Sequence, residues 1–145
     1  MKKIITLFIS FAFLYAMPVH ATHIVGGEMI VKWISGNTYQ ITAKVYRDCF
    51  NGIPQLDDPL IVSVFDAQNN WLEDINIPSP VITNLNPNTF NNCLTAPSNI
   101  CVQEGVYTIT HSFPPAVGGY ILAYQRCCRN NSILNIANPG ATGAT

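Results

Sequence analysis

Apolar and polar side chains alternate along most of the chain after residue 22, which is the period of a β-strand with one buried face. The clearest example runs from Tyr39 to Val45. Its odd-numbered side chains are Tyr, Ile, Ala and Val, whereas the even-numbered ones are Gln, Thr and Lys. This alternation predicts a half-buried antiparallel strand.

Turn residues divide the rest of the sequence into further short strands. Ser35-Gly36-Asn37 has the composition of a hairpin turn, so a strand over residues 28–34 is expected to pair with the strand that contains Tyr39. Residues 86–99 are rich in Asn, Pro, Thr and Ser and predict a loop. The other predicted strands cover residues 60–65, 71–77, 81–85 at a sheet edge, 100–113 as one or two strands around Gly105, and 120–126.

About seven short strands, with regular turns and no amphipathic helical pattern, predict an all-β protein. We expect an immunoglobulin-like antiparallel β-sandwich, because two sheets that each have one apolar face can bury those faces against each other.

The first 21 residues have the three parts of a secretory signal peptide. Lys2 and Lys3 precede an apolar run over residues 4–16, and Val19-His20-Ala21 supplies the small residues that signal peptidase recognises. The run is shorter than the roughly 20 residues that cross a bilayer, so no transmembrane segment is predicted. We expect cleavage after Ala21, a secreted or cell-surface location, and one domain over residues 22–145 that forms the amino-terminal part of a longer chain.

The charge of the predicted mature region gives no reason to expect nucleic-acid binding. Residues 22–145 keep five of the seven basic residues and all eight acidic ones. A protein that binds nucleic acid usually carries a basic patch that neutralises phosphates. The acidic balance therefore excludes nucleic acid from the expected partners.

Five cysteines in an exported chain predict disulfide bonds, because the compartment is oxidising. Cys93 and Cys101 flank a short loop and are expected to close it. Cys49 is then expected to pair with Cys127 or Cys128, and one thiol is left over. The sequence leaves the choice between these two open.

Motifs that suggest catalysis are incomplete. Residues 24–28, Ile-Val-Gly-Gly-Glu, match the new amino terminus of activated trypsin-like proteases, but the chain has no Gly-Asp-Ser-Gly-Gly loop to complete a triad. Cys127 or Cys128 could act as a nucleophile with His111 as its base, although a structural disulfide is the favoured interpretation. We therefore predict no catalytic residues.

Candidate ligand-binding residues also have plainer interpretations. Four loop acids could hold calcium, but their spacing fits no calcium loop, and solvated acids are favoured; no metal or cofactor is predicted. Four aromatic residues could form a sugar-binding platform, although aromatic side chains in strands more often lie in the core. The acids are Asp48, Asp57, Asp58 and Asp66, and the aromatic residues are Trp71, Tyr107, Tyr120 and Tyr124.

Five blocks of sequence stand out in order along the chain: residues 23–28, 45–49, 101–107, 119–120 and 124–131. Taken together, they resemble the amino-terminal region of large exported proteins of gliding bacteria. The Arg-Cys-Cys-Arg-Asn-Asn block is the most specific. The resemblance implies a multidomain protein with repeated PKD or immunoglobulin-like domains, a gliding-motility-associated sorting domain and type IX secretion, and it implies no catalytic residues.

Together these observations predict a non-enzymatic extracellular module with a structural or adhesive role, with a link to gliding motility implied by the resemblance. The expected partners are cell-surface or extracellular matrix components, glycans among them, and neighbouring β domains of the same chain. The alternative is a carbohydrate-binding type of accessory domain, placed at the amino terminus of an exported enzyme.

Overall fold

The structure, a computed structural model, describes residues 24–50, 54–86, 97, 99–126 and 135–137. The predicted signal peptide, Cys93, Cys127 and Cys128 lie outside these residues. Seven strands are present in the described part of the chain. They are β1 (Ile24–Ser35), β2 (Thr38–Asp48), β3 (Leu60–Asp66), β4 (Trp71–Ile77), β5 (Val81–Leu85), β6 (Val102–Ser112) and β7 (Tyr120–Ala123).

The strands form two antiparallel sheets, which confirms the predicted all-β sandwich. The first sheet has the order β1-β2-β6-β5, and the second has the order β4-β3-β7. β1 and β2 pair as the predicted hairpin. Gly36 lies in its turn with φ +51°, a conformation in which a residue without a Cβ is favoured. In the described ranges, the chain contains no helix long and apolar enough to cross a membrane.

The alternation along each strand places one set of side chains between the sheets. Leu60, Val62 and Val64 of β3 are fully buried, whereas Ile61 between them is 49 % exposed. Opposite them, the odd-numbered residues of β2 that define the predicted strand pack into the same core. The buried hydrophobic residues are Ile41, Ala43, Val45, Leu56, Leu60, Val62, Val64, Ile75, Ile77, Tyr107 and Phe113.

β6 passes through Gly105 as a single strand, so the alternative of two strands is wrong. Gly105 lies opposite Val45 of β2 and is buried. A Cβ at this position would lie 2.6 Å from Cδ1 of Leu56. The glycine therefore makes room for the Leu56 side chain, which covers the core from the loop before β3.

The predicted last strand is shorter than its aromatic pattern suggested, because β7 ends at Ala123. Beyond it, Tyr124 and Arg126 both reach Asp57, in the loop between β2 and β3. These side-chain contacts hold the chain after β7 against a neighbouring loop.

The disulfide connectivity differs from the predicted one, since Cys49 is joined to Cys101. The predicted Cys93–Cys101 bridge and the predicted bridge from Cys49 to Cys127 or Cys128 are therefore wrong. The reason is sheet pairing: β2 ends opposite the start of β6, and the register continues by one residue to the two cysteines. Their Cα atoms are 5.0 Å apart, within the usual range for a disulfide.

Candidate functional site

One end of the sandwich carries a polar cluster around Arg47. Arg47 is the only buried charged side chain among the described residues and is 5 % exposed. Its Nη1 donates to Oε1 of Gln55 at 2.6 Å and to Oε1 of Gln103 at 3.0 Å. The pairing of a buried guanidinium with amide oxygens explains how this core-facing position of β2 accepts a charge.

A second cluster next to it is centred on Asp57. The carboxylate accepts a hydrogen bond from the Tyr124 hydroxyl at 2.6 Å and lies 2.9 Å from Nη1 of Arg126. The backbone carbonyl of the same residue accepts a hydrogen bond from the hydroxyl of Tyr107 at 2.7 Å. Three elements, β6, the loop before β3 and the chain after β7, are thereby joined at one residue.

Both tyrosines of this cluster are held in their protonated form. Burial raises the pKa of Tyr107 to about 12, and the negative charge of Asp57 adds to the effect. Burial also raises the pKa of Tyr124, together with its hydrogen bond to Asp57. At neutral pH these phenols therefore act as fixed hydrogen-bond donors, and the cluster ties loops together.

The described residues of the sequence motifs that suggested catalysis lie in strands. Ile24 to Gly27 form the first residues of β1 and pair with β2, so this segment lies in a sheet edge. Nε2 of His111 lies 3.1 Å from Oε1 of Glu73. Its ring packs against Phe113 with 4.6 Å between the centroids. The suggested partners of His111, Cys127 and Cys128, lie outside the described residues.

The four loop acids are used separately, as local hydrogen-bond acceptors. Asp48 accepts from the N–H of Phe50, and Asp58 accepts from the N–H of Ser79, each at 2.8 Å. Asp66 accepts three hydrogen bonds in the turn between β3 and β4, and these lower the pKa of its carboxyl group. In the described part of the chain, no group of three or more His, Cys, Asp or Glu side chains could hold a metal ion.

The outer face of the first sheet carries a polar row centred on Lys44. Its Nζ lies 2.9 Å from Oε1 of Glu28 on β1 and 3.8 Å from Oε1 of Glu104 on β6. The hydroxyl of Tyr46 lies 3.5 Å from Oε1 of Glu28 and 3.3 Å from Oε1 of Glu104, so its one proton can be donated to either carboxylate. The hydrogen bond and charge of Glu28 raise the pKa of Lys44, so this face is polar and internally paired.

An apolar groove of about 620 Å³ lies between β1 and β7. β1 and β7 are edge strands of different sheets, so no strand of the described chain fills the space between them. Val31 of β1 is opposite the core residue Ile41, yet it remains 47 % exposed. The groove is lined by Met29, Val31, Asn37, Tyr39, Phe113, Pro114, Pro115, Ala116, Gly119, Tyr120 and Leu122.

The outer face of the second sheet carries a smaller mixed site, which we name the Trp71 platform. It consists of an apolar row, Trp71, Phe65 and Ile121, beside a polar pair, Ser63 and Asp74. Phe65 is the cross-strand partner of both Trp71 and Ile121. Oδ1 of Asp74 accepts hydrogen bonds from Oγ of Ser63 at 2.7 Å and from Nε1 of Trp71 at 3.0 Å.

The predicted aromatic set is therefore divided by the fold. Tyr107 is fully buried, and the hydroxyl of Tyr120 donates to the carbonyl of Pro114 at 2.7 Å. Tyr124 belongs to the Asp57 cluster. Trp71, at 59 % exposure, is the member that presents its ring to solvent.

Sequence reasoning did not identify Ser63 and Asp74 as site residues. A β-bulge between Val64 and Phe65 changes the alternation in β4 and puts Trp71 on the same face as Asp74. Strand alternation alone would place residues 71 and 74 on opposite faces. The one available signal was the Trp-Leu-Glu-Asp string at residues 71–74.

Comparisons with known proteins returned no relative: the chain matches no family model, no curated protein and no solved structure.

Proposed function

We propose that this chain is a non-enzymatic extracellular module, with a structural or adhesive role, of a secreted or cell-surface multidomain protein. The single observation that carries the proposal is the apolar groove beside the edge strand β7. In the role proposed, the groove receives a strand from a neighbouring β domain. The resemblance to exported proteins of gliding bacteria supports the same role.

Two kinds of surface meet in the groove, an open strand edge and apolar side chains. The open edge of β7 presents backbone N–H and C=O groups that can pair with an added strand. Next to it, Val31 and Leu122 present apolar side chains from the two different sheets. An added strand would thus gain backbone hydrogen bonds along one side while its alternate side chains bury apolar surface.

The described side chains that could act in catalysis are hydrogen-bonded to neighbouring residues. The Tyr107 and Tyr124 phenols are both bonded to Asp57, and the ring of His111 is paired with Glu73. These contacts favour a binding role over catalysis in the described part of the chain.

Cysteine labelling of the surface-displayed, full-length protein tests the proposal. Val31 and Ile30 are neighbours on β1 with nearly equal exposure, 47 % and 49 %, but Val31 lines the groove and Ile30 does not. In a Val31→Cys variant, a docked strand should protect the thiol from a membrane-impermeant maleimide. In the matched Ile30→Cys variant, the thiol should react at the rate of an exposed residue.

Equal reaction rates for the two variants on intact cells would contradict the docking proposal. The unmodified protein provides the background from its native cysteines. After unfolding in urea both variants should react equally, which excludes an intrinsic difference between the two thiols.

A further inference from the structure

The geometry points to the Trp71 platform as a binding site for a neutral polysaccharide. This inference rests on the proposed function, since it assigns a ligand to a module that is proposed to bind rather than to catalyse.

Trp71 offers a flat apolar surface that is fixed in place. The residue is 59 % exposed, while its indole N–H donates to Oδ1 of Asp74 at 3.0 Å. This hydrogen bond satisfies the polar edge of the indole, so the apolar face is the part of the ring that remains to bind a ligand. Such a face suits the C–H side of a sugar ring, which is apolar and nearly flat.

Asp74 supplies the polar half of the site. Ser63 and Trp71 both donate to Oδ1, and no described residue donates to Oδ2. These two hydrogen bonds also lower the pKa of the Asp74 carboxyl group, and the bond from Ser63 has the larger effect. The side chain is thus ionised and held by two neighbours, with an oxygen left to accept hydrogen bonds from sugar hydroxyls.

The size of the face favours a sugar over a protein. β3, β4 and β7 contain 7, 7 and 4 residues, and only alternate ones face outward. A stable protein interface uses roughly 20–30 residues from each partner. A row of three apolar side chains is too small for such an interface and is about as long as a few sugar rings.

The charge of the platform selects among polysaccharides. Asp74 is the charged member, and the apolar row and Ser63 are neutral. An anionic chain such as alginate would bring its carboxylates close to the Asp74 carboxylate, which is unfavourable. A neutral chain can instead donate hydroxyl hydrogen bonds to the same group without charge repulsion.

The chain provides its own matched control, because it has two tryptophans of nearly equal exposure. Trp33 is 60 % exposed but belongs to β1 of the first sheet. We would titrate the secreted protein with laminarin, a neutral glucan, with mannan and with alginate. Binding would be measured by affinity electrophoresis and by tryptophan fluorescence.

At least one of the two neutral polymers should retard the protein. Trp71→Ala should weaken that retardation about tenfold or more, since the stacking surface is lost. Asp74→Ala should weaken it too, whereas Trp33→Ala should leave it unchanged. In a Trp33→Phe variant, the fluorescence of Trp71 should change on binding, and in a Trp71→Phe variant that of Trp33 should not. Thermal melts of all variants report whether they remain folded.

Three results would overturn the inference: no retardation by laminarin or mannan, equal retardation of a folded Trp71→Ala variant, or stronger binding to alginate than to the neutral polymers. Protection of the thiol in the Val31→Cys variant does not depend on the Trp71 platform. If that protection is found while sugar binding is absent, the inference fails and the proposed function stands. If both are absent, both fail.

Discussion

Cys49 and Cys101 are joined across adjacent antiparallel strands, one residue beyond the ends of β2 and β6. The N–H of Cys49 also donates to the carbonyl of Cys101 at 2.9 Å. The disulfide therefore continues the ladder between two central strands of the first sheet. It lies at the same end of the sandwich as Arg47, whose side chain bonds to Gln103 of β6.

Removal of this disulfide should lower stability by about 4 kcal/mol, because the cysteines are 52 residues apart and the bridge restricts the unfolded chain. Cys49→Ser and Cys101→Ser should have similar effects, measured by urea unfolding. The double variant should lose no more than either single one. Non-reducing peptide mapping should recover the Cys49 and Cys101 peptides together, and a Cys93 peptide linked to Cys101 would disprove the assignment.

Neighbouring residues of β3 should differ sharply in their tolerance of truncation. Leu60 is fully buried in the core, so Leu60→Ala should lower the free energy of unfolding by about 2–5 kcal/mol. Ile61 is 49 % exposed on the outer face, and Ile61→Ala should cost about 1 kcal/mol or less. Urea unfolding of the pair tests the register of the strand, and equal losses would show that it is wrong.

The hydroxyl of Tyr107 should contribute to stability through its buried hydrogen bond. Tyr107→Phe leaves the carbonyl of Asp57 without this donor, at a cost of about 1–2 kcal/mol. Tyr120→Phe is the matched control, since its hydroxyl bonds to Pro114 in an exposed setting where water can replace it. A smaller loss for Tyr107→Phe than for Tyr120→Phe would contradict the assignment.

Tyr107 should also make the stability of the protein sensitive to alkaline pH. Its pKa rises from 10.0 to about 12 in the folded state, so the stabilisation is fully present below pH 10. Above pH 10 the unfolded chain loses the phenolic proton first, and the stabilisation is lost as the pH approaches 12. Stability measured from pH 9 to pH 12 should fall less steeply in Tyr107→Phe than in the unmodified protein.

The turn between β3 and β4 should weaken in acid. Hydrogen bonds from Asn70 and Gln68 lower the pKa of the Asp66 carboxyl group in the folded state below its ordinary value of 3.8. The carboxylate therefore stabilises the fold above pH 3.8, and this stabilisation is lost as the pH falls through the folded-state pKa. Asp66→Ala should be less stable than the unmodified protein at pH 7. The difference between them should shrink toward pH 2 in urea unfolding curves, and a constant difference would contradict the role of the carboxylate.

The alternation of side chains was sufficient to predict much of the fold. The hairpin of β1 and β2, the strands around Val62 and Ile75, and the two-sheet class follow from a local period of two and from turn residues. A strand with one apolar face must bury that face, so the local pattern already implies a partner sheet. The signal peptide and the link to gliding motility stay predictions.

The order of strands in the sheets could not be read from the same pattern. The pairing of β2 with β6, and hence of Cys49 with Cys101, joins segments that are far apart in sequence. Two cysteines close in sequence, such as Cys93 and Cys101, look like a pair only while the sheet order is unknown. Sheet order depends on which apolar faces and edges fit together, and this is a property of the whole chain.

The candidate sites were decided by tertiary structure for the same reason. The alternation did not distinguish the buried Tyr107 from the exposed Trp71, since both are aromatic residues in predicted strands. A bulge in the pairing of β3 with β4 brings Trp71 to Asp74, and two edge strands of different sheets enclose the groove at Val31. The sequence determined which segments form strands and which side chains are apolar enough to be buried, because those preferences are local. The sites require contacts between strands, and only the folded arrangement of both sheets supplies them.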